Sequence, residues 1–172
     1  MPVLIDGFNL LHAARSHLSG PDDLGRAQLS KLLGSWSAAT REKVTIVWDG
    51  AAPPGDLAVQ LSDPNVVAIH AGGETADDRI ARLLAADSAA RRIVVVSDDR
   101  EVHRSARRFG ASPSGCKAFL DRVTGDLRRA VRSRTRDQDL PEKRRGLEGK
   151  ASEDWLRLFG FDPDVPPPFE HP

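Results

Sequence analysis

Short β-branched runs recur along the chain, each followed by turn or helix signals: residues 3–5 (Val-Leu-Ile), 44–48 (Val-Thr-Ile-Val-Trp), 66–69 (Val-Val-Ala-Ile) and 93–96 (Ile-Val-Val-Val). Apolar residues occupy consecutive positions in these runs instead of alternating with polar ones. That pattern predicts strands covered on both faces, as in a parallel sheet flanked by helices. The connecting segments have helical spacing. Residues 24–36 place Leu29, Leu32, Leu33 and Trp36 on one face, residues 76–90 place Ile80, Leu83 and Leu84, and residues 100–109 place Val102, Ala106 and Phe109 ahead of Gly110. A glycine there suits the left-handed turn that ends a helix. The β-α alternation predicts an α/β fold built on a mainly parallel sheet.

Residues 51–63 contain Pro53, Pro54 and Gly55 and read as a loop with one helical turn at 57–61, a candidate lid. Residues 117–134 read as one helix with Phe119, Leu120, Val123, Leu127 and Val131 inward, weakened at Gly125. The chain divides on this reading into a catalytic unit over 1–125 and a basic extension over 126–172. That extension holds a short amphipathic helix at 153–159 and a proline-rich tail.

At 172 residues and 40% hydrophobic content the chain can bury a core without staples. The lone Cys116 excludes an internal disulfide, and Asp6 interrupts the first apolar run, so no secretory leader is expected there. No stretch approaches the roughly 20 apolar residues of a membrane helix. A reducing cytoplasm is the expected setting. Lys plus Arg and Asp plus Glu both total 25, but the balance conceals two poles: cations concentrate between 126 and 150, acids at the strand ends.

One event repeats: an apolar strand ends and an aspartate follows. Ile5 gives way to Asp6, Trp48 to Asp49, and Val96-Ser97 to Asp98-Asp99. In a parallel sheet those ends share one edge, where open α/β sheets bind ligands. A fourth segment, Glu74-Thr75-Ala76-Asp77-Asp78, opens a helix. Asp77 stands three before Ile80 and seven before Leu84, on the inward face. Asp78 stands three after Thr75 and four before Arg82, as a capping partner with an exposed ion pair would. Each feature taken singly also has a plain structural reading. Asp49-Gly50 reads as a turn, Asp99 as a first-turn helix acid, Asn9 as a cap and Ser97 as a partner for a backbone group. Convergence of four segments points instead to a site. Carboxylates gathered there require trapped protons or a cation, and oxygen donors without His or Cys favour Mg2+ or Mn2+. Such an ion suits phosphodiester hydrolysis.

Asp6-Gly7-Phe8-Asn9, Trp48-Asp49-Gly50, Glu74-Thr75-Ala76-Asp77-Asp78 and Val96-Ser97-Asp98, in this order, resemble the NYN domain family and its YacP-like branch. Phe8 stands where Tyr is frequent. The resemblance, over residues 2–119, implies a PIN-like three-layer sandwich and a Mg2+- or Mn2+-dependent endoribonuclease. By position it implies Asp6, Asp77 and Asp98 as the metal-binding core, with Asn9, Asp49 and Ser97 supporting the ion, its water or the scissile phosphate. Ribosome-associated action on messenger RNA is implied as a setting. The basic stretch, with Arg128, Arg129 and Arg132 foremost, would suit an RNA backbone. Five acids interrupt that stretch, so a solvated charge run is an equal reading. The scarcity of aromatics, with no Tyr at all, argues against base reading by a stacking platform.

Two further classes stand beside the nuclease: a non-catalytic RNA- or ribosome-binding module with a vestigial acidic site, and a small-molecule phosphatase or phosphoacceptor domain. The second is disfavoured because Asp6 lacks the Asp-x-Asp pairing of a phosphatase nucleophile and acid.

Overall fold

A computed structural model describes residues 1–18 and 24–138, with side chains to 133. Five parallel strands are present among them: β1 (Val3–Asp6), β2 (Val44–Trp48), β3 (Val66–His70), β4 (Val94–Val96) and β5 (Ser112–Ser114). Their order across the sheet is β3-β2-β1-β4-β5. The helices are α1 (Gly7–His17), α2 (Arg26–Thr40), α3 (Gly55–Gln60), α4 (Ala76–Ala86), α5 (Arg100–Arg108) and α6 (Cys116–Gln138), with a 3-10 turn at Ala90–Arg92.

The pleat decides which helix meets which strand residue. Val3, Ile5, Val44, Ile46 and Val96 point to one face and pack with Leu10, Leu29, Leu33, Trp36, Phe119 and Leu120 of α1, α2 and α6. Leu4, Val47 and Val95 point to the other and pack with Ile80, Leu84, Val102 and Ala106 of α4 and α5. The three layers expected from the consecutive apolar runs are thus formed around the central strands. α5 stops where its glycine was expected to stop it, at Gly110 with φ +78°.

The outer strands differ from the expectation. β3 is an edge strand in which Val67, 59% exposed, and Ala68, on the opposite face, both meet solvent, so one of the four apolar runs is only partly covered. β5 has no apolar signature at all. Its Pro113 is tolerated because an edge strand has one unpaired side toward which a missing N–H costs nothing. Three helices also depart from their expected ends. α2 continues to Thr40, α4 ends at Ala86, and α6, expected over 117–134, runs on to Gln138. The expected helix at 153–159 and the proline-rich tail lie outside the described residues.

All five strands point their carboxyl ends one way, and α1, α4, α5 and α6 begin at that edge. Amide N–H groups of four helix starts therefore surround the place where the strands stop.

Candidate active site

Asp6 ends β1 and caps α1. Its Oδ1 accepts the Asn9 backbone N–H at 3.2 Å and its Oδ2 accepts Asn9 Nδ2 at 2.6 Å. Buried Ser97 donates to the same Oδ2 at 3.2 Å and accepts the Asp99 N–H at 3.1 Å. Asp6 is only 3% exposed, and these neutral donors are its partners among the described residues. A carboxylate so buried, fixed by an amide and a hydroxyl in place of a cation, is oriented without being neutralised. Asn9 is thus not the cap of α1, as one reading of its position had it; it sits in the first turn and braces the cap.

Asp49 follows β2 and its Oδ1 accepts the first N–H of α4, that of Ala76, at 2.7 Å. Gly50, at φ +82°, then turns the chain away. Thr75 caps α4 through the Asp78 N–H (3.1 Å), and its hydroxyl donates back to Asp78 Oδ2 (2.9 Å). Asp78 is therefore the capping partner its spacing indicated. The expected Asp78–Arg82 pair is replaced: Arg82 Nη2 lies 2.5 Å from Glu74 Oε2, and Glu74 also receives Arg79 at 3.4 Å. Glu74 is the less exposed acid, and two cations converge on it in preference to the solvated Asp78.

Asp77, half-buried, points inward as predicted. Its carboxyl is pushed up to about 6, first by burial and then by the charges of Asp6, Asp99, Asp49 and Asp78. Asp6, Asp49 and Asp99 come from the three strand ends that the pattern singled out, so the structure brings the acids of distant stretches within electrostatic reach of Asp77. Asp98 faces a different neighbour. Its Oδ1 accepts the Cys116 N–H at the start of α6 at 2.9 Å. Burial, then the charge of Asp98, holds the Cys116 thiol protonated. Gly115 gives Asp98 room, since a Cβ there would lie 3.3 Å from Oδ1.

Asp99 and His103 were not singled out as site residues. Asp99 caps α5 through the Glu101 N–H at 2.6 Å while its charge acts on Asp77. His103 reaches back from α5, and its Nε2–H lies 2.6 Å from the Ser97 carbonyl and 3.3 Å from that of Ser114. It ties the ends of β4 and β5 together behind Asp98. Only the Asp98-Asp99 doublet hinted at the first of these, and nothing in the spacing hinted at the second.

None of Asp6, Asp49, Asp77, Asp98 and Asp99 is ion-paired to Lys or Arg among the described residues. Nor do three Asp, Glu, His or Cys side chains there stand gathered at ligand distance around one point. The donor chemistry fits a hard cation, and the unrelieved repulsion at Asp77 favours one, whereas the ligand cage is not preassembled. The basic residues Arg128, Arg129 and Arg132 lie elsewhere. α6 starts at the acidic edge, and twelve residues later, about 18 Å along its axis, it has passed the opposite edge. There Arg122 already meets Glu42, two residues ahead of β2. Arg129 pairs with Asp126, Arg132 is exposed, and Arg128 is partly buried.

The fold has close counterparts in two crystal structures of Rae1 (YacP) from Bacillus subtilis. For a tryptophan-to-leucine mutant the TM-score is 0.64 at 24% identity over 92% of each chain. For the other structure it is 0.62 at 24% identity over 80% of each chain. The sequence has no match among curated proteins. A family model for the YacP-like NYN domain matches residues 3–159. With that match, and with its strand-end acids where the expected fold assembles them, the chain belongs to the YacP-like NYN domain family.

Proposed function

We propose that this protein is a metal-dependent endoribonuclease that hydrolyses RNA phosphodiester bonds at the carboxyl edge of its sheet, with messenger RNA at the ribosome and a cytoplasmic setting as its working context. The observation that carries the reading is the state of Asp77. It is half-buried among the carboxylates of Asp6, Asp49 and Asp99, no Lys or Arg pairs with it among the described residues, and it is pushed up to about 6. A protein that keeps such repulsion gains nothing in stability from it, so the acids serve something that enters the site. Membership of the YacP-like NYN family makes RNA hydrolysis the fitting chemistry.

Asp6, Asp77 and Asp98 would hold Mg2+ or Mn2+, and Asp49 would support the ion, its water or the scissile phosphate. Bound there, the ion supplies Lewis acidity toward the phosphate and lowers the pKa of a bound water. The chain's own work is positional. Asn9 and Ser97 keep Asp6 in one rotamer, so its lone pairs face the edge without reorganisation at the moment of reaction. The helix starts of α1, α4, α5 and α6 present their dipoles to an incoming phosphate and offset the acids' repulsion of it.

Cleavage of an unstructured RNA with Mg2+ or Mn2+, lost in folded Asp6→Asn and Asp77→Asn variants, is the expected result. Retention of cleavage in both variants overturns the assignment. The absence of a preassembled ligand cage favours one other reading, an RNA-binding module with a vestigial site. Salt-sensitive RNA binding with no heat of Mn2+ binding by calorimetry would select that module.

A further inference from the structure

Beside Asp6, on the flank toward β2 and β3, stands a group of side chains that the hydrolysis does not use. Phe8 lies two residues beyond Asp6, in the first turn of α1, and is 39% exposed, whereas Trp36, Trp48 and Phe119 are 2% exposed or less. Exposure does not leave it loose. Its ring meets Trp48 edge to face at 5.4 Å with 81° between planes. The Arg26 guanidinium lies 4.6 Å from the Phe8 centroid and 4.9 Å from that of Trp48. No carboxylate among the described residues pairs with Arg26. His70, in register with Trp48 at the end of β3, has a buried Nδ1 without a hydrogen-bond partner among the described residues. Burial and the Arg26 charge both hold this imidazole neutral. Gly7 makes the arrangement sterically feasible, since a Cβ there would lie 2.5 Å from the Trp48 indole.

An exposed ring and a planar cation are the two groups that meet a nucleotide most readily, the ring through the base and the guanidinium through the phosphate. A guanidinium lying on aromatic faces keeps its in-plane N–H groups free to bond an oxyanion. Because Asp6 caps the helix on which Phe8 rides, the distance from ring to carboxylate is set by one helical turn. We propose that Phe8 and Arg26, backed by Trp48, grip an unpaired nucleotide adjacent to the scissile phosphate. The inference rests on the nuclease reading of the Asp6 edge and adds the residues that position its substrate. The overall scarcity of aromatics excludes a long stacking platform. One ring at the right edge suffices for one base, and a duplex, whose bases are stacked on one another, cannot offer it.

The test compares steady-state cleavage of a short unstructured RNA with the same strand annealed to its complement, and measures binding of both by fluorescence anisotropy in EDTA. The wild type should prefer the single strand. Phe8→Ala should raise KM about tenfold with kcat little changed, and Phe8→Tyr should behave as wild type. Phe8→Leu keeps apolar volume over Trp48 and should lose the same affinity, which separates stacking from folding. Arg26→Ala should weaken binding and flatten its salt dependence, and Arg26→Lys should restore the salt dependence. Equal cleavage of duplex and single strand, or wild-type KM in Phe8→Leu and Arg26→Ala, overturns the proposal and leaves the nuclease reading standing. If the wild type cleaves neither RNA, the nuclease reading falls. Anisotropy then decides alone: weaker single-strand binding by Phe8→Leu sustains the grip, and unchanged binding ends it.

Discussion

The two edges of the sheet treat their carboxylates in opposite ways. At the amino-terminal edge, Glu42 takes the chain's terminal ammonium at 3.4 Å and Arg122 at 2.5 Å. Asp126 nearby accepts the Trp36 indole N–H at 2.9 Å and pairs with Arg129. Burial works against ionisation of Asp126, but the Trp36 bond and the Arg129 charge outweigh it and hold its carboxyl below the usual range. At the carboxyl-terminal edge the acids receive backbone amides, an Asn and a Ser, but no Lys or Arg among the described residues, and Asp77 moves the other way, up to about 6. Paired acids hold this fold together; the unpaired ones are held by it. The same residue type thus has two physical roles, separated by whether its charge is answered from within the chain.

The largest effect that can test this contrast is on catalysis. Asp6→Asn and Asp77→Asn should each cut RNA cleavage by roughly a thousandfold or more, the scale of a preorganised charge group in a reacting site. Glu42→Gln should leave kcat/KM within about twofold, because it lies at the far edge and answers only structural charges. A nuclease assay on these three folded variants checks the prediction. Equal loss in all of them would erase the distinction between the edges.

The next effect is on stability, and it runs the opposite way. Asp126→Ala removes an acceptor from the buried Trp36 indole and a counter-charge from Arg122 and Arg129, and should cost about 2 kcal/mol in urea denaturation. Asp77→Asn should instead stabilise the metal-free protein near neutral pH. A group whose folded pKa is raised contributes stability that is full below its unfolded value, near 3.8, and is lost as pH climbs through about 6. The asparagine carries no such loss. The shift sets a ceiling of about 3 kcal/mol, which solvent screening at a half-buried site reduces to about 1. Melting curves at pH 4 and pH 7.5 should show the variant's advantage only at the higher pH, and Mn2+ should close the gap by stabilising the wild type alone.

Much of this edge was legible in the chain itself, for a definite reason. Consecutive apolar residues at 3–5, 44–48 and 93–96 require cover on both faces, and that requirement fixes a parallel sheet, which in turn places Asp6, Asp49 and Asp98 at one rim. The spacing of Asp77 from Ile80 and Leu84 identified its face correctly. What escaped was set by contacts between segments. Ser-Pro-Ser becomes β5 because β4 offers it a partner, not because of any intrinsic preference. Arg82 chooses Glu74 over Asp78 because Glu74 is more buried. Arg26 meets Phe8 and Trp48 where the start of α2 approaches the first turn of α1 and the end of β2, and no periodicity encodes that meeting.

The smallest predicted effect is the sharpest discriminator, because it compares adjacent residues. Asp77 and Asp78 share a helix turn and a charge, and differ in which way they point: one toward Asp6, Asp49 and Asp99, the other toward the Thr75 hydroxyl and solvent. Asp78→Ala leaves the Thr75 oxygen on the backbone N–H of residue 78 and removes only the reciprocal contact, at a cost of about 0.5 kcal/mol. It also removes the weakest of the charges that raise Asp77. Cleavage should therefore stay within about twofold of wild type, with the acidic limb of its pH profile moved slightly down. If Asp78→Ala is as damaging to kcat as Asp77→Asn, then charge density at the start of α4 governs the reaction, and the inward direction of Asp77 does not.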